Sequence, residues 1–153
     1  IFESIKYIIN KYDDIKVIYP VHYNPKIREC VKEVLGEEER VKIIDPLNVT
    51  DFHNLINHSY LILTDSGGIQ EEAPSLGKPV IVLRDTTERP EGIEAGTLKL
   101  AGTEEETIFQ LVDELLSDEK EYQRMSKASN PYGDGHASER IADAIIAHFN
   151  KVE

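Results

Sequence analysis

Short apolar segments alternate with helical segments along almost the whole of this chain. The apolar segments have the length of β-strands and are apolar on both faces, as in strands buried within a parallel sheet. Between them, apolar residues recur at helical spacing, beginning with Ile5, Ile8, Ile9 and Tyr12. The alternation therefore predicts an α/β fold, a parallel sheet with helices on both faces. The predicted strands are residues 15–21, 41–44, 60–64, 80–83 and 97–100.

Length and charge set the broad class of protein. The chain has 153 residues, of which 40% are hydrophobic and 30% charged, which suits one domain spanning residues 1–153. Its last helix is predicted at about residues 138–150. The formal net charge of -12 argues against a nucleic-acid or an acidic-membrane partner. No apolar run approaches membrane-spanning length and no signal-peptide pattern is present, so we expect a cytoplasmic protein. The single cysteine, Cys30, is predicted to be buried on a helix.

A glycine-rich turn follows the strand at residues 60–64. The strand ends in Asp65-Ser66-Gly67-Gly68, and a helix is predicted directly after it. Such a turn presents bare N–H groups to an anion, the helix dipole favours negative charge there, and glycines leave room for a phosphate. Ser66, Gly67 and Gly68 are therefore a candidate diphosphate site at the carboxyl edge of the sheet, where such folds bind ligands. The alternative is an ordinary turn, because turns are rich in these residues.

Four further residues are candidates around this turn. Glu72 lies one turn into the helix, where a carboxylate can accept hydrogen bonds from both ribose hydroxyls. Arg89, in the loop after the next strand, could bind phosphate with its planar fork or be a solvated loop residue. Phe52 could be a core aromatic or a face for a base. His22, at the end of the first strand, also points to the carboxyl edge, although a lone histidine is more often structural.

The residues alone give no acid–base chemistry. The histidines show no metal-ligand spacing, and Ser66 has no obvious base partner. We therefore predict no metal site and no catalytic residue on this chain. The residues by themselves indicate a domain that holds a nucleotide-like diphosphate.

Four blocks of sequence carry a resemblance to a known family. Residues 63–79, Leu-Thr-Asp-Ser-Gly-Gly-Ile-Gln-Glu-Glu-Ala-Pro-Ser-Leu-Gly-Lys-Pro, resemble the hallmark of the non-hydrolysing UDP-N-acetylglucosamine 2-epimerases. Residues 19–25, 84–91 and 130–135 agree with the same family in the expected order. Together the blocks span nearly the whole chain.

The resemblance implies the C-terminal half of a two-domain enzyme. Each half of that enzyme is a Rossmann-like domain, and the two are joined in the glycosyltransferase-B arrangement. The chain opens inside a predicted helix, so we expect a fragment whose first strand is missing. In a doubly wound sheet that strand is central, and its absence would expose two edges for another segment to fill. The implied partners are the N-terminal half and, at full length, a second copy in a homodimer.

The resemblance also implies an activity and roles for the candidate residues. The family interconverts UDP-N-acetylglucosamine and UDP-N-acetylmannosamine for cell-surface polysaccharides, by eliminating UDP and adding it back, without a nicotinamide or other cofactor. Its acids and bases lie on the N-terminal half, so this half is expected to be inactive alone. The resemblance places the diphosphate on Ser66, Gly67 and Gly68, the ribose on Glu72 and the uracil near Phe52. It also implies that Arg89 binds the substrate's charged end and that a second, activating UDP-N-acetylglucosamine binds near His22.

Two alternatives stay open from the sequence. The donor half of a glycosyltransferase-B enzyme, or of a hydrolysing epimerase, shares the glycine turn and the ribose carboxylate, although the block at residues 84–91 favours the non-hydrolysing epimerase. A stand-alone module that docks on a separate catalytic subunit is the second alternative.

Overall fold

The computed structural model describes residues 1–150, in which short strands alternate with helices in the predicted order. The strands are β1 (Val17–Pro20), β2 (Val41–Ile44), β3 (Ile62–Thr64), β4 (Val80–Val82) and β5 (Leu98–Leu100). The helices are α1 (Phe2–Lys11), α2 (Pro25–Leu35), α3 (Val49–His58), α4 (Gly67–Ser75), α5 (Pro90–Ala95), α6 (Glu105–Ser117), α7 (Glu119–Ser126) and α8 (Ala137–Phe149). Among these helices, none has the length and apolarity needed to cross a bilayer.

The five strands form two parallel sheets rather than one. β1 pairs with β2, from Val17 opposite Val41 onward. β4 lies between β3 and β5, with Val80 opposite both Ile62 and Leu98. Within residues 1–150 no ladder joins β1 to β3. The interruption lies where the central first strand of a doubly wound sheet would run, as predicted.

The alternation of backbone hydrogen bonds along β1 and β3 shows which edge of each strand is unpaired. The amide of Val17 donates to the Arg40 carbonyl oxygen at 2.9 Å, so residues 17 and 19 face β2. The amide of Ile62 donates to the Pro79 carbonyl oxygen at 3.0 Å, so residues 62 and 64 face β4. In a parallel ladder successive residues bond to opposite sides. Ile18 and Leu63 therefore direct their N–H and C=O groups away from the paired strands.

Helices cover the β3–β4–β5 sheet on both faces. On one face Ile81 packs with Ile8 of α1 and Ile108 of α6. On the other face Val80 and Val82, which alternate with Ile81, pack with side chains of α3 and α4. Helix α1 also carries Ile9 into the cluster on the β1–β2 sheet, so this helix packs on both sheets. The predicted α/β fold with helices on both faces is confirmed.

Helix α8 differs from the other long helices because none of its residues is buried. Its apolar side chains Ile141, Ile145, Ile146 and Phe149 are each more than half exposed. The helix follows a loop in which Gly133 and Gly135 both have positive φ. Residues 1–150 therefore leave this apolar face uncovered.

Three local predictions were wrong. Cys30 is exposed, because it lies on the outer side of α2 while Val31 and Leu35 carry the buried face. Thr103 and Glu106 have the spacing that predicts a capping box, but α6 begins one residue later, with Glu104 at the N-cap. Residues 84–96 are polar and are predicted to form one long loop, but they contain α5, which starts at a proline as first turns often do.

Candidate functional site

The glycine turn lies at the carboxyl end of β3. Ser66 is the N-cap of α4 in an extended conformation, and its side chain makes no capping hydrogen bond. Its own amide donates to Oγ1 of Thr64 at 3.1 Å, which fixes the entry of the chain into the helix. The first amides of α4, from Gly67 onward, therefore receive no side-chain cap. Uncapped amides at the positive end of a helix are available to an anion.

Open space surrounds both glycines. A Cβ atom placed on Gly67 would have its nearest contact at 4.0 Å, with Oε2 of Glu88, and one on Gly68 would meet Oε1 of Glu72 at 3.7 Å. Both glycines belong to α4 and neither has a positive φ. Backbone strain therefore does not require glycine here, and the absence of side chains serves to keep this surface clear.

A buried glutamine joins the glycine turn to the loop after β4. Gln70 is fully buried, and its Nε2 donates to the carbonyl oxygen of Ser66 at 3.3 Å. Its Oε1 accepts the Thr87 hydroxyl at 2.5 Å, and Oγ1 of Thr87 accepts the amide of Arg89 at 3.0 Å. The chain of bonds fixes the loop relative to the turn. Sequence analysis missed Gln70, because one polar residue on a helix does not show whether it faces the core.

Arg84 and Glu88 also lie beside the turn. Both guanidinium nitrogens of Arg84 donate to the Glu88 carboxylate, each at 2.9 Å. This hydrogen bond from Arg84 lowers the pKa of Glu88, so the carboxylate stays ionised. Glu88 is the protein group nearest to the space over Gly67, so the pair brings a cation and an anion to the edge of the candidate phosphate site.

Arg89 faces the neighbouring part of α4. Its Nε donates to the carboxylate of Glu71, and this hydrogen bond raises the pKa of Arg89. The hydroxyl of Tyr132 reaches the Arg89 carbonyl oxygen at 3.4 Å, and Nη1 donates to the Glu88 carbonyl oxygen at 2.9 Å. The side chain is about one third exposed. Contacts with Glu71 of α4 and with Tyr132 therefore hold Arg89 in place, and its side chain still reaches solvent.

Glu72 and Phe52 lie on adjacent helices. Phe52 is partly buried and packs against the cluster that contains Ile56 of α3 and Ala73 of α4. Nε2 of the next residue, His53, lies 3.1 Å from Oε2 of Glu72. The other carboxylate oxygen, Oε1, lies on the side of Gly68. The structure thus brings Glu72 next to the glycine turn and places Phe52 on the helix packed beside it.

An open cleft of about 340 Å³ borders the middle and the C-terminal end of α4. Glu71 and Glu72 line it from α4, and Tyr132, Asp134 and Arg140 line it from the chain after α7. Arg140 and Asp134 form a bidentate ion pair across the start of α8. Glu72 therefore lies between the glycine turn and a cavity large enough for a small ligand.

His22 lies outside the hydrogen-bonded group around the glycine turn. It follows β1, on the separate two-stranded sheet, and it is exposed. Its Nδ1 accepts the amide of Asn24 at 3.1 Å, and its carbonyl oxygen accepts Nε of Arg28 at 3.3 Å. In the described part of the chain no hydrogen bond joins His22 to the glycine turn. Over residues 1–150, no three His, Cys, Asp or Glu side chains converge as metal ligands.

Fold and site together define the class of protein. Parallel strands covered by helices, with a glycine turn at the carboxyl edge, are the features of a Rossmann-like domain. The chain belongs to the UDP-N-acetylglucosamine 2-epimerase family, whose model matches residues 1–146.

Curated relatives agree with this assignment. The chain is 60% identical over 148 residues to the UDP-N-acetylglucosamine 2-epimerase of Bacillus subtilis. The alignment covers 97% of this chain and 39% of that protein. It is 57% identical over 138 residues to the enzyme of the same name from Escherichia coli K12, covering 90% and 37%. The chain thus spans about two fifths of the length of these relatives.

Solved structures are equally similar. A structure described as an S. aureus MnaA-UDP co-structure superposes with a TM-score of 0.92 at 55% identity, covering 97% of this chain and 41% of that one. The UDP-GlcNAc 2-epimerase of Neisseria meningitidis, bound to UDP-GlcNAc, gives a TM-score of 0.88 at 43% identity, covering 95% and 40%.

Proposed function

We propose that this chain is the UDP-binding, C-terminal half of an enzyme that interconverts UDP-N-acetylglucosamine and UDP-N-acetylmannosamine. The observation that carries the proposal is the glycine turn, with uncapped amides at Gly67 and Gly68 and the carboxylate of Glu72 beside them. Family membership and the UDP-containing relatives support the choice of nucleotide. In this proposal the diphosphate lies on residues 66–68, the ribose on Glu72 and the uracil near Phe52.

The proposed reaction assigns this half an electrostatic task. Elimination breaks the C1–O bond of the sugar, removes the proton at C2 and releases UDP, leaving 2-acetamidoglucal. UDP then adds back to C1 on its original face, and a proton is delivered to C2 from the opposite face, which gives the epimer. Negative charge builds on the departing diphosphate, where the amides of Gly67 and Gly68 and the guanidinium of Arg89 would stabilise it. The acid and base that act at C2 are assigned to the N-terminal half.

Two unpaired features support a partner half. The free edges of β1 and β3, at Ile18 and Leu63, leave a place for a central strand. The exposed apolar face of α8 offers a second docking surface. We propose that the strand and the surface that would fill these two places come from the three fifths of the relatives' length that this chain does not span. We also propose that the full-length enzyme is a cytoplasmic homodimer and that His22 contributes to a second UDP-N-acetylglucosamine site.

Hydrogen exchange tests the proposed central strand. The amides of Ile18 and Leu63 should exchange rapidly in this chain and about 100-fold more slowly in the full-length enzyme, because an inserted strand would accept their hydrogen bonds. The neighbouring amides of Val17 and Ile62 serve as controls, since each already donates within its own sheet. Equal exchange of Ile18 and Leu63 in both proteins would exclude a strand at this place.

Replacement of Glu72 by Ala tests the ribose assignment. In the full-length enzyme we expect UDP affinity to fall about tenfold, because two hydrogen bonds to an ionised carboxylate are lost. Calorimetric titration with UDP measures the change. Glu33→Ala, an exposed position on α2, is the control and should leave affinity unchanged. UDP affinity that is the same with and without the Glu72 carboxylate would remove this residue from the ribose site.

A further inference from the structure

A hydrogen bond across two helices holds the carboxylate of Glu72. His53 lies on α3 and Glu72 on α4, and the imidazole Nε2 is 3.1 Å from Oε2. The two side chains are 46% and 48% exposed, so the pair lies at the surface with room for a ligand. The backbone of α3 next to His53 is fixed, because Phe52 packs into the cluster shared with α4.

The chemistry of the contact fixes the direction of the hydrogen bond. An ionised carboxylate only accepts, so the proton of this bond lies on Nε2 of His53. Oε2 keeps a second lone pair, and Oε1 points to the side of Gly68 with no donor from the imidazole. Both oxygens of Glu72 thus remain able to accept hydroxyl protons. A carboxylate already held in one orientation loses less freedom when a ligand binds.

We propose that His53 is a positioning residue, which orients the Glu72 carboxylate to accept both hydroxyls of a ribose diol. The proposal rests on the assignment of a uridine nucleotide to this site. It adds a consequence that the assignment alone does not have: His53 contributes to the preference of the protein for a ribose over a deoxyribose nucleotide, and acts only through Glu72.

The test compares two ligands by calorimetry on the full-length enzyme, UDP and 2′,3′-dideoxy-UDP. His53→Ala should weaken UDP binding about fivefold and leave the affinity for dideoxy-UDP within twofold. His53→Gln, whose side-chain amide can donate to the same oxygen, should restore most of the loss. When Glu72 is already Ala, the His53→Ala change should have no further effect on UDP affinity.

His58→Ala is the matched control, because His58 lies on the same helix and, within residues 1–150, its side chain bonds only to the carbonyl oxygen of Asn54, at 2.8 Å. It should change neither affinity. An equal loss for both ligands in His53→Ala, or losses that add in the double variant, would show a general structural role and overturn the proposal.

The outcomes separate this proposal from the assignment of the nucleotide. If the unmodified enzyme binds no UDP, both fail together. If it binds UDP and prefers the ribose form through Glu72, but His53→Ala keeps that preference, only the role of His53 is overturned.

Discussion

Replacement of Gly67 by Val is expected to reduce UDP affinity about 100-fold and to leave the fold intact. The loss of UDP affinity and the preservation of the fold have separate physical causes. A Cβ atom at this position lies 4.0 Å from the nearest protein atom, so the protein itself accommodates the change. The φ of Gly67 is not positive, and valine suits a helix at least as well as glycine. The γ-methyl groups would have the Glu88 side chain as their neighbour, which is flexible and can give way, and they would fill the space that a diphosphate needs above the amides of α4.

The magnitude follows from what the ligand would lose. Charge-assisted hydrogen bonds to uncapped amides are about twice as strong as neutral ones, and the loss of about 3 kcal/mol corresponds to roughly 100-fold in affinity. Thermal unfolding of the unliganded variant is the control, with a midpoint unchanged or slightly raised. A Gly67→Val protein that unfolds normally and still binds UDP as tightly as before would remove the glycine turn from the diphosphate site.

Replacement of Arg89 by Ala is expected to lower the turnover of the full-length enzyme about 100-fold, with a change of less than threefold in UDP affinity. The guanidinium would stabilise charge that develops on the diphosphate only as the C1–O bond breaks, so its removal should affect the transition state more than the bound substrate. Steady-state kinetics with UDP-N-acetylglucosamine, together with calorimetry, separate the two effects.

The position of Arg89 makes a matched comparison available. Glu71 and the carbonyl oxygen of Glu88 orient the guanidinium, and Tyr132 supports the backbone. Arg89→Lys keeps the charge but lacks the planar fork, so it should recover only part of the lost turnover. A loss of affinity with unchanged turnover in Arg89→Ala would show that the residue binds ground state and transition state equally.

The regular part of the fold was predictable because its signal is local. The run at residues 80–83 is apolar throughout, and in the structure Val80, Ile81 and Val82 are fully buried. The cap at Asp118 was also predictable, since a short acidic side chain can bond to the amides two and three residues later. Both features depend on residues a few positions apart, and tertiary packing leaves these two unchanged.

Features that depend on what packs against an element were not predictable in the same way. The periodicity of α8 shows an apolar face but not whether this chain buries it, and the structure leaves that face exposed. The side chain of Cys30 lies outside the buried stripe of α2 by one position. At the site, a sequence shows that Gln70, Arg84 and His53 are polar but not that they bond to the turn, its loop and Glu72.

A crystal structure of this chain in complex with UDP tests the central claim most directly. We expect diphosphate oxygens about 3 Å from the amides of Gly67 and Gly68, with both ribose hydroxyls donating to Glu72. Diphosphate bound anywhere else, with the space over Gly67 and Gly68 holding only solvent, would contradict it.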